Sequence, residues 1–281
     1  MMARTNAQSI YDSNDDTTKA KLAEISGKLI EGIYATALSS KLKNTDYSGD
    51  PTAGSIEVNR FKNAVSKNYG TARGAGKGEA LRNTGKTTIN LDRHKEIIEE
   101  VSGADLALFG IEGLAEKRAD NHRKQMVAEL DREFFAEAEA KGTNVVLTGI
   151  TAVEDAAEKL IQTIISVKND WVDGLDKEDV HMSLNPKTYG KLRNYIDKVT
   201  VPTVDSGSRE INLFHGVEVA ENVRQTADII IMVKGALAEP LKVSQYKAEK
   251  IPLSNDYALE LFYDYGLGAV SKDLIFKATL A

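Results

Sequence analysis

The sequence predicts an α+β fold, in which helices and strands occupy largely separate stretches of the chain. Three observations lead to this prediction. Two long stretches repeat apolar residues every three or four positions, several short stretches alternate apolar and polar residues, and residues 43–86 are rich in glycine and charge. At 281 residues, of which 42% are hydrophobic, the chain is long enough for one large domain or two modest ones.

Composition excludes several classes of function. The chain has no cysteine, so disulfides, thiolate metal sites and cysteine nucleophiles are excluded. The longest aliphatic run, residues 229–233, is far too short to span a membrane, and the polar N-terminus lacks the apolar core of a signal peptide. A net charge of -6 argues against a general nucleic-acid binder. We therefore expect a soluble protein made in a cytoplasm, with no membrane partner.

The first predicted element is a helix. Residues 16–42 carry an apolar stripe with spacings of three and four, formed by Leu22, Ile25, Leu29, Ile33 and Ala37. Because such a face must be covered, we expect this helix to pack on another helix or on a sheet.

Residues 43–86 form a different kind of segment. The seven glycines and few large apolar side chains prevent this segment from enclosing a core of its own. Within it, SIEVNRFKNAV and the later KTTINLD contain β-branched residues with partial alternation. These two stretches are predicted to pair as a long hairpin around a glycine-rich tip, which would be marginally stable in isolation.

The predicted hairpin is basic. Between positions 60 and 86 the chain carries seven basic residues and one acid, for a local net charge of +6, which leaves -12 for the remainder. The seven basic residues are Arg60, Lys62, Lys67, Arg73, Lys77, Arg82 and Lys86. Opposite charges on the hairpin and the body predict that the hairpin of one copy lies on the body of another. These seven residues are therefore the candidate intersubunit contacts.

A second long helix is predicted from Asp105 to about Lys141, with Gly142 as its stop. Its charged run EKRADNHRKQ is expected to face solvent. The inward face is formed by Leu114, Val127, Leu130, Phe134 and Ala138.

The rest of the chain alternates short strands and helices. A helix is expected after the capping box of Thr151 and Glu154, with Trp171 continuing its inward face. Another helix follows the strand VHMSL, with Asn185 as its cap and Pro186 in its first turn. Further strands are predicted at VTVPTV, FHGVEVA, ADIIIMV, YALELFYDY and KDLIFKATL.

The stretch ALRNTGKTT satisfies the loosest form of a phosphate-binding loop, with Ala80 in place of the first glycine and Lys86 and Thr87 at the end. A true loop of this kind follows a buried strand and opens a helix, because the helix N-terminus and the loop amides hold the phosphates. Here a glycine-rich and basic loop precedes the motif, and the strand-like TINLD follows it. We therefore expect a basic loop and no nucleotide site.

The other candidates for chemistry indicate no catalytic centre. Four histidines lie far apart without metal-ligand spacing, no nucleophile motif occurs, and the paired carboxylates lie in helical context. We predict no enzyme activity, no metal and no cofactor.

The order of elements resembles one known family. The segments that carry the resemblance are DRHKEIIEEVSGADLA before the long helix, SLNPKTYGKLRN and FHGVEVAENV. Over essentially the whole chain the sequence is similar to the major capsid protein of tailed double-stranded DNA bacteriophages, the Hong Kong 97 type capsid fold. The resemblance implies an N-terminal arm (1–45), an extended E-loop hairpin (46–88), a P-domain with a long spine helix (89–142), an A-domain (143–245) and P-domain return strands (246–281).

By this resemblance, the chain would assemble with itself into pentamers and hexamers, and these into an icosahedral shell. The shell would enclose packaged double-stranded DNA without sequence-specific binding, and would be part of a virion assembled in the cytoplasm of a bacterial host. A portal protein is an expected partner. A separate scaffolding protein is expected as well, because the arm begins almost at once. Some relatives crosslink an E-loop lysine to a neighbour's asparagine, but this sequence does not show such a partner and crosslinking is not expected.

Three alternatives remain open from the sequence. An encapsulin-like nanocompartment would share the fold and hold an enzyme cargo in place of a genome. A nucleotide hydrolase would use Lys86 and Thr87. A nucleic-acid binding module would work through residues 60–86, and its binding would weaken steeply with salt because phosphate contacts release counterions.

Overall fold

The structure is a computed structural model that describes residues 16–64, 68, 83–198, 211–244, 247–254 and 256–280. The helices in these ranges are α1 (Asp16–Thr36), α2 (Leu38–Leu42), α3 (Gly103–Lys141), α4 (Val153–Ile165) and α5 (Pro186–Lys198). The strands are β1 (Ser55–Phe61), β2 (Asn83–Asn90), β3 (Arg93–Val101), β4 (Thr143–Asn144), β5 (Val180–Leu184), β6 (Leu213–Phe214), β7 (Val217–Glu221), β8 (Ile229–Val233), β9 (Leu237–Ala238), β10 (Leu241–Val243), β11 (Lys247–Lys250), β12 (Tyr257–Tyr265), β13 (Gly268–Ala269) and β14 (Ile275–Ala278).

One sheet has six strands in the order β4-β14-β8-β5-β7-β6. β5 and β7 are parallel and lie on either side of α5 in the chain, whereas β8 runs antiparallel to β5. Helices α4 and α5 contribute Leu160 and Leu192 to the buried cluster on one face of this sheet. The strand predicted at VHMSL is confirmed as β5, and all five of its residues are buried because both of its faces are covered.

A second sheet is antiparallel throughout. β12 is its central strand, with β3 along one edge and both β10 and β11 along the other. Leu259, Leu261 and Tyr263 of β12 pack in a buried cluster with α1 and α3. The C-terminal strands therefore belong to both sheets: β11 and β12 lie in the second sheet, whereas β14 lies between β4 and β8 of the first.

Helix α3 has 39 residues, which corresponds to a length of about 58 Å. It begins after Ser102, whose hydroxyl oxygen accepts the backbone N–H of Asp105 at 3.2 Å. The stop predicted at Gly142 is confirmed, but its backbone is extended and not left-handed. Glycine is required there because a Cβ atom would lie 2.6 Å from the carbonyl oxygen of Ala138.

The apolar stripe predicted for the N-terminal helix is confirmed. Leu22, Ile25, Leu29 and Ile33 are buried against α3. The helical stretch is interrupted at Ala37, which is extended, and continues as α2.

The capping box predicted at Thr151 and Glu154 is wrong. Helix α4 begins at Val153, its N-cap residue is Ala152, and no side chain caps it. Val153 is buried in the cluster under the six-stranded sheet, so tertiary burial determines where this helix begins. The helix ends at Ile165, and Trp171 therefore lies in the following loop and not on the inward face of α4.

FHGVEVA forms a short hairpin and not one strand, because β6 and β7 are joined at His215 and Gly216, both with positive φ. The strand predicted at VTVPTV lies outside the described residues. The two C-terminal strands are confirmed as β12 and β14.

Candidate intersubunit site at the base of the hairpin

The predicted hairpin is confirmed by the pairing of β1 and β2. The two strands are antiparallel from Ser55 opposite Asn90 to Phe61 opposite Asn83. The register shifts between Arg60 and Phe61, at the end of the pairing that is farthest from Ser55. The described residues therefore form the base of the hairpin.

A small apolar cluster attaches this base to the body. Ile56, Val58 and Ile89 are at most 2% exposed and pack against β9. Gly266 allows the closest approach, because a Cβ atom at this position would lie 2.2 Å from the carbonyl oxygen of Asn90. One face of the hairpin base is thus buried and fixed against the body.

Arg60 joins the hairpin to a distant part of the chain. Its guanidinium donates two hydrogen bonds to the carboxylate of Asp273, at 2.6 and 3.0 Å. Asn169 donates a third hydrogen bond to the same carboxylate at 2.6 Å. The guanidinium also lies 5.0 Å from the ring centroid of Trp171. A bidentate contact of this kind fixes orientation as well as distance, so it sets the direction in which the hairpin leaves the body.

The electrostatics support an ionised pair. Burial alone would raise the pKa of the Asp273 carboxyl, but the hydrogen bonds and charge of Arg60 hold this pKa below its ordinary value. The side chains of Arg60 and Asp273 are 16% and 31% exposed, respectively. Because both are largely sheltered from water, solvent weakens this ion pair less than a surface pair.

Lys62 makes the next contact after β1. Its ammonium group pairs with Asp170 and lies 5.8 Å from the ring centroid of Trp171. The backbone N–H of Asn63 donates to the carbonyl oxygen of Asp170 at 3.0 Å. Two cations of the hairpin, Arg60 and Lys62, therefore lie near the ring of Trp171. Residues 169–171 form the surface that the hairpin base contacts.

Lys86 lies within β2 and pairs with Glu57 of β1 at 2.6 Å. Gly85 and Thr87 also belong to β2, and the next element in the chain is β3. The strand predicted after the phosphate-loop motif is confirmed. The hydrolase alternative therefore lacks the helix that it requires at this position.

The structure places Arg60, Lys62 and Lys86, and each of them has an acidic partner in its own chain. The other four predicted contacts lie outside the described residues: Lys67, Arg73, Lys77 and Arg82. Their contact with a second copy stays a prediction.

Sequence reasoning misses the body side of this site. Asp170 and Asp273 lie in polar stretches without a motif, and they are more than 100 positions from the hairpin residues that they bind. Asn169 contacts the hairpin indirectly, through its hydrogen bond to Asp273. Trp171 offers the strongest available signal, because it is the only tryptophan in the chain. Its spacing from the apolar residues of α4 predicts a place on the inward face of that helix, and gives no indication of its contact with the hairpin.

The N-terminal helices α1 and α2 have their own attachment point on the rest of the chain. The backbone N–H of Ser39 donates to Asp131 Oδ1 at 2.9 Å, and Arg224 donates to Asp131 Oδ2 at 2.9 Å. The Asp131 side chain is 2% exposed. One buried carboxylate therefore joins α2, α3 and the loop after β7.

A second buried carboxyl lies beside Lys43, the residue that follows α2. Lys43 Nζ is 3.9 Å from Glu239 Oε2 and donates to the carbonyl oxygen of Glu239 at 3.3 Å. Within the described ranges, neither carboxyl oxygen of Glu239 has a hydrogen-bond partner. Burial raises the pKa of Glu239 to about 8 despite the opposing charge of Lys43. The Glu239 carboxyl therefore holds its proton more tightly than an exposed glutamate does.

The part of the chain that the structure describes contains no group of three or more histidine, aspartate or glutamate side chains that could hold a metal ion. Each of the four histidines lies beside one carboxylate, and the four carboxylates belong to different elements. No helix in the described ranges is long and apolar enough to cross a lipid bilayer.

No family model and no curated protein matches the sequence. Solved structures do match. A structure from Mycobacterium phage Che8 has a TM-score of 0.61 at 16% identity, covering 86% of this chain and 91% of the other. The capsid structure of the cyanophage P-SCSP1u has a TM-score of 0.62 at 12% identity, covering 88% of each chain. A virus-like particle from Pyrococcus furiosus has a TM-score of 0.58 at 14% identity, covering 91% of this chain and 97% of the other.

The chain has the phage capsid fold. This likeness confirms the α+β capsid fold of Hong Kong 97 type predicted from the sequence. Because all three identities are below 25%, the comparison establishes the fold and leaves the individual contacts to be argued from this chain.

Proposed function

We propose that the chain is a major capsid subunit, which assembles with itself into pentamers and hexamers and then into a closed icosahedral shell. The observation that carries the proposal is the match to capsid structures over more than 80% of both chains. The shell of a virion, assembled in a bacterial cytoplasm, is the corresponding location. The function is structural, with no catalytic step.

The hairpin supports this proposal. Its base is fixed to the body through buried residues and through Arg60, while four basic residues follow in the sequence between positions 67 and 82. A basic segment that leaves an acidic body in a fixed direction suits contact with a second copy. We assign the intersubunit role to Arg73, Lys77 and Arg82 in particular, because Arg60, Lys62 and Lys86 are paired within the chain.

The remaining partners follow from the same proposal. Packaged double-stranded DNA would lie inside the shell without sequence-specific contacts, which agrees with a net charge of -6. A portal protein would occupy one vertex, and a separate scaffolding protein would guide assembly. The division into arm, E-loop, P-domain and A-domain belongs to this proposal as well.

The first test is particle mass. Light scattering and negative-stain microscopy of the purified chain, with and without its neighbouring gene products, should show pentamers, hexamers or closed shells. A stable monomer or dimer at every concentration, with all partners present, would refute the proposal.

The second test reverses charge on the hairpin. The triple variant Arg73→Glu, Lys77→Glu and Arg82→Glu should keep its circular dichroism spectrum and lose assembly. The matched control reverses three exposed lysines of α5, namely Lys187, Lys191 and Lys198, and has the same change in net charge. Equal loss of assembly in both variants would attribute the effect to net charge and not to the hairpin.

A nanocompartment that holds a protein cargo is the second candidate, because the virus-like particle from Pyrococcus furiosus matches nearly its whole length. Analysis of the particle contents separates the two. Nuclease-protected double-stranded DNA supports the phage capsid, whereas a stoichiometric protein cargo without DNA supports the nanocompartment.

A further inference from the structure

Leu253 combines a strained backbone with a fully exposed side chain. It lies in the turn between β11 and β12, where the backbone N–H of Ser254 donates to the carbonyl oxygen of Ile251 at 3.2 Å. The φ of Leu253 is +63°, and Pro252 precedes it. This is the pattern of a type II turn, whose third position normally takes glycine or asparagine because other L residues disfavour positive φ. A leucine there adds backbone strain and exposes apolar surface to water.

Hydrogen bonds within the turn maintain this conformation. The backbone N–H of Ile251 donates to the carbonyl oxygen of Asp256 at 3.0 Å. The Ser254 hydroxyl donates to Asp256 Oδ2 at 2.6 Å and accepts the backbone N–H of Asp256 at 3.1 Å. Backbone strain persists in proteins where the surrounding structure imposes it, and such positions are concentrated at functional sites.

The turn lies at one end of the subunit. Beside it, Lys250 of β11 lies opposite Tyr257 of β12. Tyr257 also pairs with Val101, two residues before α3 begins. Helix α3 runs from this end of the second sheet to the six-stranded sheet, which its last turns contact. The turn is therefore remote from the six-stranded sheet, at a point where another copy can reach it.

The composition of the turn suits contact with an identical turn. Contact between identical segments brings like charges together, which is unfavourable, but residues 251–255 carry no charge in a chain where 28% of residues are charged. Other large apolar side chains that are exposed among the described residues lie on separate elements, so they form no patch that could receive Leu253. Around a symmetry axis, by contrast, the same residue of each copy meets itself.

We propose that Leu253 is a subunit contact, which packs against Leu253 of neighbouring copies around a local symmetry axis of the shell. This inference rests on the proposed shell function and names one contact between its subunits. Burial of the leucines in the assembly removes their apolar surface from water and offsets the strain of the turn. The isolated subunit gains nothing from a leucine at this position.

Opposite effects on folding and on assembly test this role. Leu253→Gly relieves the positive φ, so the unassembled variant should unfold at a higher urea concentration than the natural chain. The same variant should require a subunit concentration about tenfold higher or more to form shells in light scattering, because the contact loses a buried leucine. Leu253→Met is the matched control: it keeps the strain and the apolar volume, and it should assemble close to the natural concentration.

Each outcome decides between the two proposals. Equal assembly of Leu253→Gly and the natural chain would overturn the contact and leave the proposed function intact. A defect of Leu253→Gly that appears only when another gene product is present would also overturn it, because that product would then be the partner. A natural chain that assembles under no condition would contradict both proposals.

Disulfide trapping identifies the residue that Leu253 meets, because the natural chain has no cysteine. Assembled Leu253→Cys particles should give covalent dimers on a non-reducing gel after mild oxidation, since side chains that meet at an axis lie within reach of a disulfide. The matched control is Val223→Cys, which replaces an apolar residue that is 70% exposed on another part of the chain and should give no dimer. Closed particles without the Leu253→Cys crosslink, or equal crosslinking of Val223→Cys, would refute the contact between identical turns.

Discussion

The ion pair between Arg60 and Asp273 should make a measurable contribution to stability. It connects residues 213 positions apart through two hydrogen bonds, and its two side chains are 16% and 31% exposed. Hydrogen bonds between charged groups contribute about 1.5–3 kcal/mol when sheltered, and surface pairs contribute about 0–1 kcal/mol. Because this pair lies between the two cases, we expect a coupling energy of about 1–2 kcal/mol.

A double-mutant cycle measures this energy. The variants are Arg60→Met, Asp273→Ala and the combination, each unfolded with urea at a concentration where subunits stay unassembled. The double variant should be more stable than the sum of the single effects predicts, by about 1–2 kcal/mol. The exposed pair Lys86–Glu57 serves as a control, since its side chains are 55% and 45% exposed and its coupling should be below about 1 kcal/mol. Additivity of the two Arg60 and Asp273 effects within about 0.3 kcal/mol would show that the contact does not anchor the hairpin.

Three further predictions concern the body. Phe134→Ala should lower the free energy of unfolding by about 3–5 kcal/mol, because this ring of α3 is fully buried against the six-stranded sheet. A urea midpoint equal to that of the natural chain would contradict the assigned core. Gly266→Ala should lower the free energy of unfolding, because the new Cβ would lie 2.2 Å from a backbone oxygen. Gly27→Ala in α1 has open space around it and should raise the free energy of unfolding by about 0.5–1 kcal/mol. Urea titration of both variants checks that the two changes have opposite signs. Burial raises the pKa of Glu239 to about 8, so as pH rises the unfolded chain loses this proton before the folded chain does. The free energy of unfolding should therefore fall as pH rises from about 4.5 to 8. Glu239→Gln should flatten this dependence on pH, and an unchanged dependence would show that another group causes it.

Local sequence patterns predict the elements whose residues lie close together in the chain. The stripe of α1 follows from spacings of three and four, because a helix places those positions on one face. The pairing of β1 with β2 follows from alternation on both sides of a glycine-rich segment. In each case the element is determined by contacts between residues that are close in the sequence, or by burial of one face. The pattern of apolar and polar residues along the chain encodes both.

Contacts between distant residues escape such patterns. Asp273 has no feature in the sequence that separates it from other surface aspartates, and only the fold brings it to Arg60. The start of α4 shows the same limit: a capping-box pattern is present at Thr151, but burial of Val153 overrides it. Trp171 is misplaced by helical periodicity because nothing near Ile165 marks the end of the helix, such as a glycine in the next position.

The length of α3 has a mechanical consequence. Its middle turns, around Met126 and Leu130, pack with β12 of the second sheet, and its last turns, around Phe134 and Ala138, pack with β8 and β14 of the first. The two sheets therefore cannot rotate relative to each other unless α3 bends or its contacts with one of the sheets are repacked. Long helices bend gently, with radii of about 60–100 Å, at low energetic cost. In the proposed shell, such a subunit would adapt to positions of different shell curvature by bending along α3, while each sheet keeps its own shape.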